Sequence, residues 1–437
     1  MEIVGVDLEK VQTISSIKKE EDWVKKFRED SYKKFEKMDL PSFGPKIDLD
    51  YSKIVYYKND EVDNKIKDDW NNVLKPIVDD LESVGVMESE VHMGGMGVQY
   101  ESEVIYHSML KEIEEKKVIF TSIEMAIKKY PKLVKKYFGK IVKNGENKFT
   151  ALNGAVFSGG SFIYIPKHTK LDRPLQSYFR MNSKNMGQFE RTLIIVDDYS
   201  DLHYIEGCTA PTYSESSLHA AVVEIYVGRH SKCRYSTVQN WANNVYNLVT
   251  KRALVDSYGT MEWIDGNIGS KVTMKYPGCI LKGDYSKGTC ITISVAGHGQ
   301  IQDTGARMIH MGAGTESNIL SKSIARNGGN ATYRGKVLIQ KSADSSFASV
   351  KCDTLILDEL SKSDTIPVNS CFQENSQIEH EATVSKISEE NLFYMMSRGI
   401  PRERAMDLII LGFIEKFRDE LPMEYAVELN QLIKRNL

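Results

Sequence analysis

The sequence predicts a mainly β protein whose core is a parallel β-solenoid with helical regions at both ends. From about Ala151 onward, short alternating apolar runs are separated by Gly, Asp, Asn and Ser, a pattern typical of strands and turns. These runs continue for about 220 residues without an intervening amphipathic helix, which disfavours βαβ folds and leaves a large sandwich or a solenoid of stacked strands. At 437 residues the chain is also too long for one ordinary globular core. We favour the solenoid on this texture, although no tight sequence repeat is present.

The first 150 residues are predicted to be mainly helix and connector. Four aromatic residues recur at near-helical spacing among lysines and glutamates, and they predict an amphipathic helix that ends at Leu40-Pro41. These residues are Trp23, Phe27, Tyr32 and Phe35. Gly94-Gly95-Met96-Gly97 is predicted as a flexible turn, and a phosphate-binding loop is disfavoured there because no Gly-Lys-Ser/Thr follows.

Two further helices are predicted before the strands begin. Thr121-x-x-Glu124 matches a capping box, so we expect one helix to start at Thr121. Another is expected from Pro131 to Gly139, because proline is favoured in the first turn of a helix and glycine just past its end.

The solenoid region contains five segments with strong strand character, rich in β-branched and other apolar residues. These segments are residues 192–196, 221–227, 290–295, 306–311 and 333–339.

Helices are predicted again after the last strand. Ser388 is a good N-cap with Glu389-Glu390 in the first turn, and a second helix is expected from Pro401 until Leu421-Pro422 interrupts it. The residues expected on one apolar face of this helix are Ala405, Leu408, Ile409, Phe413 and Phe417. A last short helix is expected over residues 423–437. These helices could cap the open end of the solenoid or offer a surface to a partner subunit.

Composition argues against nucleic-acid and membrane roles. Lysine and arginine number 57 against 60 acidic residues, so the net charge of -3 gives no overall basic field. No run approaches 18 apolar residues, and the first residues lack the pattern of a signal peptide. These features predict a cytoplasmic protein.

The cysteines and one short acidic segment suggest metal chemistry. Six cysteines are present without any Cys-x-x-Cys pair, so a metal centre would need other ligands or a second subunit. Glu379-His380-Glu381 follows Cys352 closely and supplies carboxylates and an imidazole, which together with a thiol can bind iron. In an extended strand Glu379 and Glu381 point to one face and His380 to the other, so all three would need a bulge or a partner to share one metal. The alternative is a charged edge on a solvated strand.

Several stretches of the chain form recognisable motifs. They are residues 151–166, 187–195, 218–224, 235–241 and 379–388, with Glu206-Gly207-Cys208-Thr209-Ala210-Pro211, Lys275-Tyr276-Pro277 and Leu421-Pro422-Met423-Glu424. Together these stretches resemble the SufB/SufD family of iron-sulfur cluster assembly proteins, and within it the SufB scaffold branch. The similarity extends in order over about residues 105–437. SufD-like chains typically lack the pair found here at Cys352 and Glu381, so the resemblance favours SufB.

The resemblance implies a right-handed parallel β-helix over residues 146–384, with a helical or mixed region over 1–145 and a helical region over 385–437. It also implies a complex, in which a SufC-type ATPase binds the C-terminal helices and the chain pairs with a SufD-type subunit or a second copy of itself. A cysteine desulfurase or sulfur shuttle would supply sulfur, and apoproteins would receive the cluster. The chain contains no Walker motif, so ATP hydrolysis is expected in the partner. The cluster type and the participation of a reduced flavin stay open.

Site roles follow from the same resemblance. Cys208 corresponds to the family's sulfur acceptor, although from its residues alone it would be an ordinary buried cysteine. Since attack on a persulfide requires a thiolate, we expect a nearby cation or donor to lower its pKa. The residues corresponding to a sulfur path are Arg180, Asn182, Gln239, Trp241 and Lys251, each of which could instead be a solvated surface residue. Cys352 and Glu381 correspond to ligands of the nascent cluster, with His380 and Glu379 beside them.

Some features depart from the family pattern. No cysteine precedes Cys208, whereas many longer relatives carry an N-terminal cysteine cluster, and the loop after Trp241 is short. Cys371 falls outside the matching motifs, so its role stays open, and no role is assigned to Cys279 or His310. Two other functions remain in consideration: a SufD-like structural subunit without its own cluster, and a β-helix enzyme acting on polysaccharides.

Overall fold

The computed structural model describes residues 1–59, 66–83, 90–211 and 215–420, and it shows a parallel β-solenoid of about eight turns with helices near both ends. The strands are β1 (Glu2–Val4), β2 (Val55–Lys58), β3 (Gly95–Tyr100), β4 (Glu103–Met109), β5 (Ile119–Ser122), β6 (Ser161–Ile165), β7 (Leu175–Arg180), β8 (Gly187–Gln188), β9 (Arg191–Val196), β10 (Asp201–Thr209), β11 (Ser217–His219), β12 (Val222–Val227), β13 (Lys232–Trp241), β14 (Val245–Val255), β15 (Thr260–Gly269), β16 (Val272–Lys275), β17 (Gly278–Leu281), β18 (Lys287–Ala296), β19 (Ile301–His310), β20 (Glu316–Ala325), β21 (Asn330–Ile339), β22 (Phe347–Ile356), β23 (Lys362–Cys371) and β24 (Gln377–Lys386). The α-helices are α1 (Leu8–Lys18), α2 (Asp22–Lys37), α3 (Lys75–Ser83), α4 (Lys111–Glu115), α5 (Ile123–Lys129), α6 (Pro131–Tyr137), α7 (Lys148–Val156), α8 (Glu389–Ser397), α9 (Arg402–Phe413) and α10 (Glu415–Arg418). Short 3-10 helices are formed by Trp70–Asn72 and Glu90–His92.

Two long sheets form the walls of the solenoid. One contains β10, β13, β15, β18, β20, β22 and β24 in this order, and the other contains β9, β12, β14, β16, β19, β21 and β23. Neighbouring strands within these rows are parallel, and from β13 onward the first sheet pairs residue to residue over nine or ten positions per strand. At the N-terminal end β4 and β5 pair antiparallel with β3 and β6, which ends the parallel stack there. The predicted fold class is therefore confirmed. The predicted division into residues 1–145, 146–384 and 385–437 stays a prediction.

Aromatic residues stack in register inside and outside the solenoid. In the interior the rings of Tyr204, Tyr235 and Trp263 lie 5.0 and 5.2 Å apart on successive strands. At one outer corner His168, Tyr199, His230, Tyr258 and Tyr285 stack with ring centroids 4.6 to 5.1 Å apart. All five of these corner residues have a positive φ. Non-glycine residues seldom adopt this conformation, so its repetition shows that the geometry of each turn of the solenoid imposes it.

The N-terminal helix predictions are largely confirmed, with one shift of a boundary. Helix α2 contains the predicted aromatic residues, and α6 begins at Pro131 with Gly139 at φ +67° just beyond it. The predicted start at Thr121 is wrong, because Thr121 lies in β5 and Ser122 caps α5 by accepting from the Met125 N–H. Glu124 does not complete a capping box. It accepts hydrogen bonds from the Gly159 N–H and from Lys18.

The glycine-rich segment Gly94-Gly95-Met96-Gly97 is not a flexible turn. Gly95 opens strand β3, which pairs with β4 and β7. A Cβ at Gly94 would lie 2.4 Å from Ile113 Cδ1, and one at Gly95 would lie 3.0 Å from the Ser108 carbonyl oxygen. Glycine is therefore present because the backbone is closely packed, a requirement that a turn-like sequence does not reveal.

The C-terminal helices pack along the outer face of the first sheet. Ser388 caps α8 as predicted, by accepting from the Asn391 N–H. Ile410, Ile414 and Phe417 are buried in a cluster with sheet residues that include Ile264. The predicted apolar face is partly wrong, since Leu408 is 38% exposed and Ile410 and Ile414 are buried. The predicted helix over residues 423–437 lies outside the described residues.

None of the described helices is both long and apolar enough to cross a membrane.

Candidate functional site

Cys208 lies in the interior of the solenoid on β10. It is fully buried and pairs in register with Phe179 of β7 and Gln239 of β13. Its Sγ lies 3.8 Å from Glu206 Oε1, to which the thiol donates, and 3.8 Å from Gln239 Nε2, which donates to the sulfur. Cys208, the predicted sulfur acceptor, is therefore in contact with Gln239, a predicted residue of the sulfur path.

The acidity of this thiol differs from the prediction. Burial and the nearby Glu206 carboxylate raise the pKa of Cys208 well above its ordinary value, while Lys251 and Lys275 act in the opposite direction. Nearby cations and a donor are present as expected, but the expected net lowering of the Cys208 pKa is wrong, because desolvation and the carboxylate outweigh both lysines. The thiol is thus neutral at rest, and forming a thiolate requires transfer of its proton.

A cluster of buried charges surrounds the acceptor. Lys251 Nζ lies 3.4 Å from Glu206 Oε1 and 3.7 Å from Asp265 Oδ1, and Lys275 Nζ lies 3.0 Å from Asp265 Oδ2. Tyr235 donates a short hydrogen bond to Glu206 Oε2. Buried charges are stable only when paired in this way. Of these residues, only Lys251 was predicted from the sequence to have a role, whereas Glu206, Asp265 and Lys275 were not.

The two lysines respond differently to burial. Burial lowers the pKa of Lys251, but Glu206 and Asp265 outweigh it, so the pKa is raised. Burial also lowers the pKa of Lys275, and Asp265 only partly compensates, which leaves that pKa at about 8. Lys275 can therefore gain or lose a proton close to neutral pH, next to Gln239, to which it donates at 2.9 Å.

Hydrogen bonds extend this cluster to the opposite sheet. Gln239 Oε1 accepts from Asn247 Nδ2 at 2.8 Å, and Asn247 Oδ1 lies 2.7 Å from His219 Nδ1. His219 Nε2 in turn pairs with Glu190 through a short contact. The ring of Trp241, another predicted path residue, lies 4.7 Å from the His219 ring.

Arg180 and Asn182 lie near this cluster rather than in it. Arg180 is buried on β7, pairs in register with Thr209, and donates to Thr209 Oγ1 at 3.1 Å. Asn182 is half-buried just beyond the strand and donates to the Tyr100 hydroxyl at 2.6 Å. The structure thus places Arg180 beside the residue that follows Cys208, and Asn182 farther along the same edge.

Two columns of buried polar residues run from Cys208 towards Cys352. Parallel pairing aligns the first column as Glu206, Thr237, Asp265, Thr292, Ser321 and Cys352, and the second as Cys208, Gln239, Asn267, Ser294, Ser323 and Thr354. All twelve side chains are buried. With about 4.8 Å between strands, five steps span about 24 Å from Glu206 to Cys352. We call these the polar columns.

Unused hydrogen-bonding capacity lies along the polar columns. In the described part of the chain, Thr237 Oγ1, Asn267 Oδ1 and Ser321 Oγ are buried without a hydrogen-bond partner. Buried polar atoms are usually paired, so these unpaired atoms in the two adjacent columns mark a place where a polar guest could be accommodated.

Cys352 occupies the far end of the first polar column. It is 3% exposed, and its Sγ lies 3.7 Å from His380 Nε2 on β24. Asn369 Nδ2 lies 3.3 Å from His380 Nδ1. Burial raises the pKa of the Cys352 thiol to about 12 and lowers that of His380. A thiol and an imidazole, two common iron ligands, are thus already adjacent.

The two glutamates face outward, as the alternation of the strand predicted. Glu381 is paired with Lys351 at 3.1 Å and Glu379 accepts from Gln377 at 2.8 Å, both on the exposed face of β24. The structure therefore brings Cys352 together with His380 and not with Glu381. Across the described residues, no three or more His, Cys, Asp or Glu side chains are grouped closely enough to hold a metal ion.

The remaining cysteines divide into two kinds. Cys233, Cys279 and Cys290 are buried in the apolar core. Cys371 is exposed at the end of β23, where its thiol donates to the Gln373 carbonyl at 3.3 Å.

Known proteins resemble the chain over nearly its whole length. The model for the SufBD core domain of SUF system FeS cluster assembly matches residues 179–413, and that for the SufBD protein N-terminal region matches residues 9–177. An iron-sulfur cluster assembly SufBD family protein of Staphylococcus saprophyticus is 53% identical over 426 residues, covering 97% of this chain and 91% of its own length. A relative with the same description from Staphylococcus aureus strain MRSA252 is 54% identical with the same coverage.

Proposed function

We propose that this chain, which belongs to the SufBD family of iron-sulfur cluster assembly proteins, is a scaffold of the SufB type that receives sulfur at Cys208 and holds a nascent cluster near Cys352. The observation that carries this proposal is the pair of polar columns that join the two cysteines through the solenoid interior. A solenoid core has no structural need for such columns, since polar groups are costly to bury. The family assignment leaves the polysaccharide-active enzyme without support.

Sulfur transfer to Cys208 is a thiol exchange without net redox change. The Cys208 sulfur attacks the outer sulfur of a donor persulfide, so a new S–S bond forms at Cys208 as the S–S bond of the donor breaks, and the donor leaves as a thiolate that is then protonated. The Cys208 proton must leave first, and Glu206 Oε1 at 3.8 Å is an oxygen positioned to accept it. Conversion of the bound sulfur to sulfide needs two electrons, and the participation of a reduced flavin in this step stays open.

Cluster ligation is proposed for Cys352 and Glu381, with His380 and Glu379 beside them. Because Glu381 faces outward while Cys352 faces inward, both can reach one cluster only where the end of the solenoid meets another subunit or rearranges. Mixed thiolate and carboxylate ligation is also more labile than four thiolates, which suits a cluster that is passed on to apoproteins.

Exposed apolar residues support the two proposed subunit partners. Ile366, Val368 and Phe372 on and after β23 are 38%, 48% and 60% exposed, as expected if a SufD-type subunit or a second copy covers the last coil. On α8, Phe393 and Tyr394 are 73% and 60% exposed, which supports docking of a SufC-type ATPase there. We propose that hydrolysis of ATP occurs in that partner, and that the complex works in the cytoplasm.

The test is transfer of labelled sulfur from a cysteine desulfurase, with its shuttle protein, to the purified chain under anaerobic conditions. Cys208→Ser should retain its fold and lose labelled persulfide, because a hydroxyl cannot carry sulfur. Cys352→Ser should acquire the label at Cys208 yet assemble no cluster. Cys371→Ser, which removes the exposed thiol, is the control and should behave as wild type. Labelling of Cys208→Ser at the wild-type rate would show that sulfur enters elsewhere.

A SufD-like structural role is the second candidate. The engagement of Glu381 by Lys351, away from Cys352, favours it. It predicts that the chain takes up no iron or sulfide even when its partners are present, which reconstitution followed by metal analysis would reveal.

A further inference from the structure

A large cleft lies on the outer face of the second sheet, whereas Cys208 and Cys352 belong to the first sheet. It has a volume of about 720 Å³ and is bounded by strands β14, β19, β21 and β23, by the segment that carries Phe43, and by Glu146. Sites of this size that combine an apolar lining with a few polar groups are typical of small-molecule binding.

Parallel register builds one wall of the cleft from cations. Arg252 on β14 aligns with Gly278 on β17, then with Arg307 on β19, Lys336 on β21 and Val368 on β23. A Cβ at Gly278 would lie 3.0 Å from the Arg307 carbonyl oxygen and 3.3 Å from the Arg307 Cβ, so the glycine leaves room for the arginine. Arg307 and Lys336 are direct neighbours in this row, with backbones about 4.8 Å apart.

The cations of the cleft exceed its carboxylates by two. Glu146 forms a bidentate pair with Arg252 and lies 3.8 Å from Arg307, while Asp303 pairs with Arg334 at 2.9 Å. Among the described residues, no carboxylate lies within ion-pair distance of Lys336. The four cations, Arg252, Arg307, Arg334 and Lys336, thus face only two acidic side chains.

Arg307 has a weak ion pair with Glu146 and, among the described residues, a buried nitrogen without a partner. Its Nε is buried and has no hydrogen-bond partner within the described part of the chain. Burial and the charge of Arg252 lower the pKa of Arg307, and Glu146 does not fully compensate. A guanidinium in this situation gains from a bound anion that offers two oxygens.

A second part of the cleft lining, which we call the apolar wall, is apolar and aromatic. Phe43 is 49% exposed, and its ring centroid lies 6.1 Å from that of Tyr276. The Arg334 guanidinium lies 5.3 Å from the Phe43 ring centroid. Phe149, Leu248 and Met274 extend this wall. A ring exposed beside a cation can stack on a flat apolar group.

We propose that this cleft binds a phosphate monoester with a flat, aromatic body, whose dianionic phosphate lies between Arg307 and Lys336 and whose body packs against Phe43. The net excess of two positive charges in the cleft matches the two charges of a phosphate monoester better than the single charge of a carboxylate. This proposal does not rest on the proposed scaffold function, because Cys208 and Cys352 lie on the other sheet. The edge of the cleft at Ile366 and Val368 adjoins the surface that we propose for subunit pairing.

The test is calorimetric titration of the full chain with 4-methylumbelliferyl phosphate, 4-methylumbelliferone and inorganic phosphate. Wild type should bind the aromatic phosphate at least about tenfold more tightly than either of the other two, because only this probe uses both walls. The double variant Arg307→Gln/Lys336→Gln should bind it at least about tenfold more weakly. Phe43→Ala should weaken binding of the aromatic phosphate and leave that of inorganic phosphate unchanged.

Two further variants keep the test decisive. Lys287→Gln removes an exposed cation on the other sheet and should bind as wild type, whereas Glu146→Gln frees Arg252 and Arg307 and should tighten binding. Circular dichroism checks that each variant is folded. Equal affinity of wild type for aromatic and inorganic phosphate, or wild-type affinity in the folded double variant, would overturn the proposal.

Discussion

Four charged residues lie together in the solenoid interior, and their pairing makes each of them important for stability. Lys251 contacts both Glu206 and Asp265, and Lys275 contacts Asp265. All four are at most 2% exposed. Removing one partner of a buried pair leaves an uncompensated charge, which is far more costly than losing an exposed pair.

Lys251→Met should therefore lower the free energy of unfolding by about 3–5 kcal/mol, because Glu206 loses its cation. Urea denaturation followed by circular dichroism measures the change. Lys287→Met is the matched control, since it breaks a Lys–Glu pair of 2.7 Å whose side chains are both 54% exposed, and it should cost at most about 1 kcal/mol. Similar losses in both variants would contradict a charged interior cluster.

Lys275 should make the free energy of unfolding depend on pH in the alkaline range. Its pKa is about 8 in the folded chain and 10.5 when unperturbed, so between these values the unfolded chain binds the extra proton and stability rises with pH. The difference between these two pKa values of Lys275 corresponds to a change of about 3 kcal/mol in the free energy of unfolding. The free energy of unfolding of wild type, measured relative to Lys275→Met, should thus increase from pH 8 to pH 10.5. A difference that stays constant or falls over this interval would contradict the assignment.

The sequence predicted which residues belong to the site where they lie in a recognisable motif. It did not predict how deeply those residues are buried or which side chains surround them. Cys208, Gln239 and Lys251 were identified from similarity, and all three are in the buried cluster. The pKa of Cys208 was predicted in the wrong direction because its dominant causes are burial and Glu206. Neither the depth of a strand nor the face that a residue shares with its neighbours can be read from a short motif.

At the scale of elements, periodicity decided which predictions succeeded. The two-residue period of β24 correctly separated His380 from Glu379 and Glu381. The helical period predicted only part of the buried face of α9. Helix α9 ends at Phe413 and α10 begins at Glu415, so one continuous helical period does not extend across both. Ile414 and Phe417 are buried instead by their contacts with the sheet. Single helices of this length depend on the surface they pack against.

Helix α8 offers a sharper test of ATPase docking than deletion of the C-terminal region does. Deleting residues 388–437 would uncover the sheet face under Ile410 and Phe417, so aggregation would confuse the result. Replacing the exposed Phe393 and Tyr394 by serine should instead abolish binding of the SufC-type ATPase while leaving thermal stability unchanged. Co-elution on size exclusion measures binding, and Tyr258→Ser, an exposed ring at the outer corner, is the control. Full binding by the double variant would place docking elsewhere.

At the scale of the whole molecule, the two ends of the solenoid differ. The N-terminal end is closed by antiparallel strands, whereas β23 and β24 form the last coil, with most of their residues exposed. The sequence predicted the solenoid from its alternating runs, but the polar columns depend on register between strands far apart in the chain, which local patterns do not encode. The proposed ligands Glu379, His380 and Glu381 lie on β24 of this last coil, and Cys352 lies on the neighbouring strand β22, so the position of the site and the exposure of the end are connected.

Pairing through the last coil should therefore control cluster occupancy. Val368→Lys with Phe372→Lys places charges on the exposed apolar surface, where 48% and 60% of these side chains are accessible, so pairing with a SufD-type subunit or second copy should be lost while the fold persists. Cluster content after anaerobic reconstitution should fall together with pairing, measured by native mass spectrometry and by iron and sulfide analysis. Lys287→Gln should retain both.

If the unpaired double variant holds a full and stable cluster, Cys352 and His380 suffice without a partner, and the outward position of Glu381 is irrelevant to ligation. If pairing and occupancy fall together, the 3.7 Å contact between Cys352 and His380 is only half of a site that the neighbouring subunit completes.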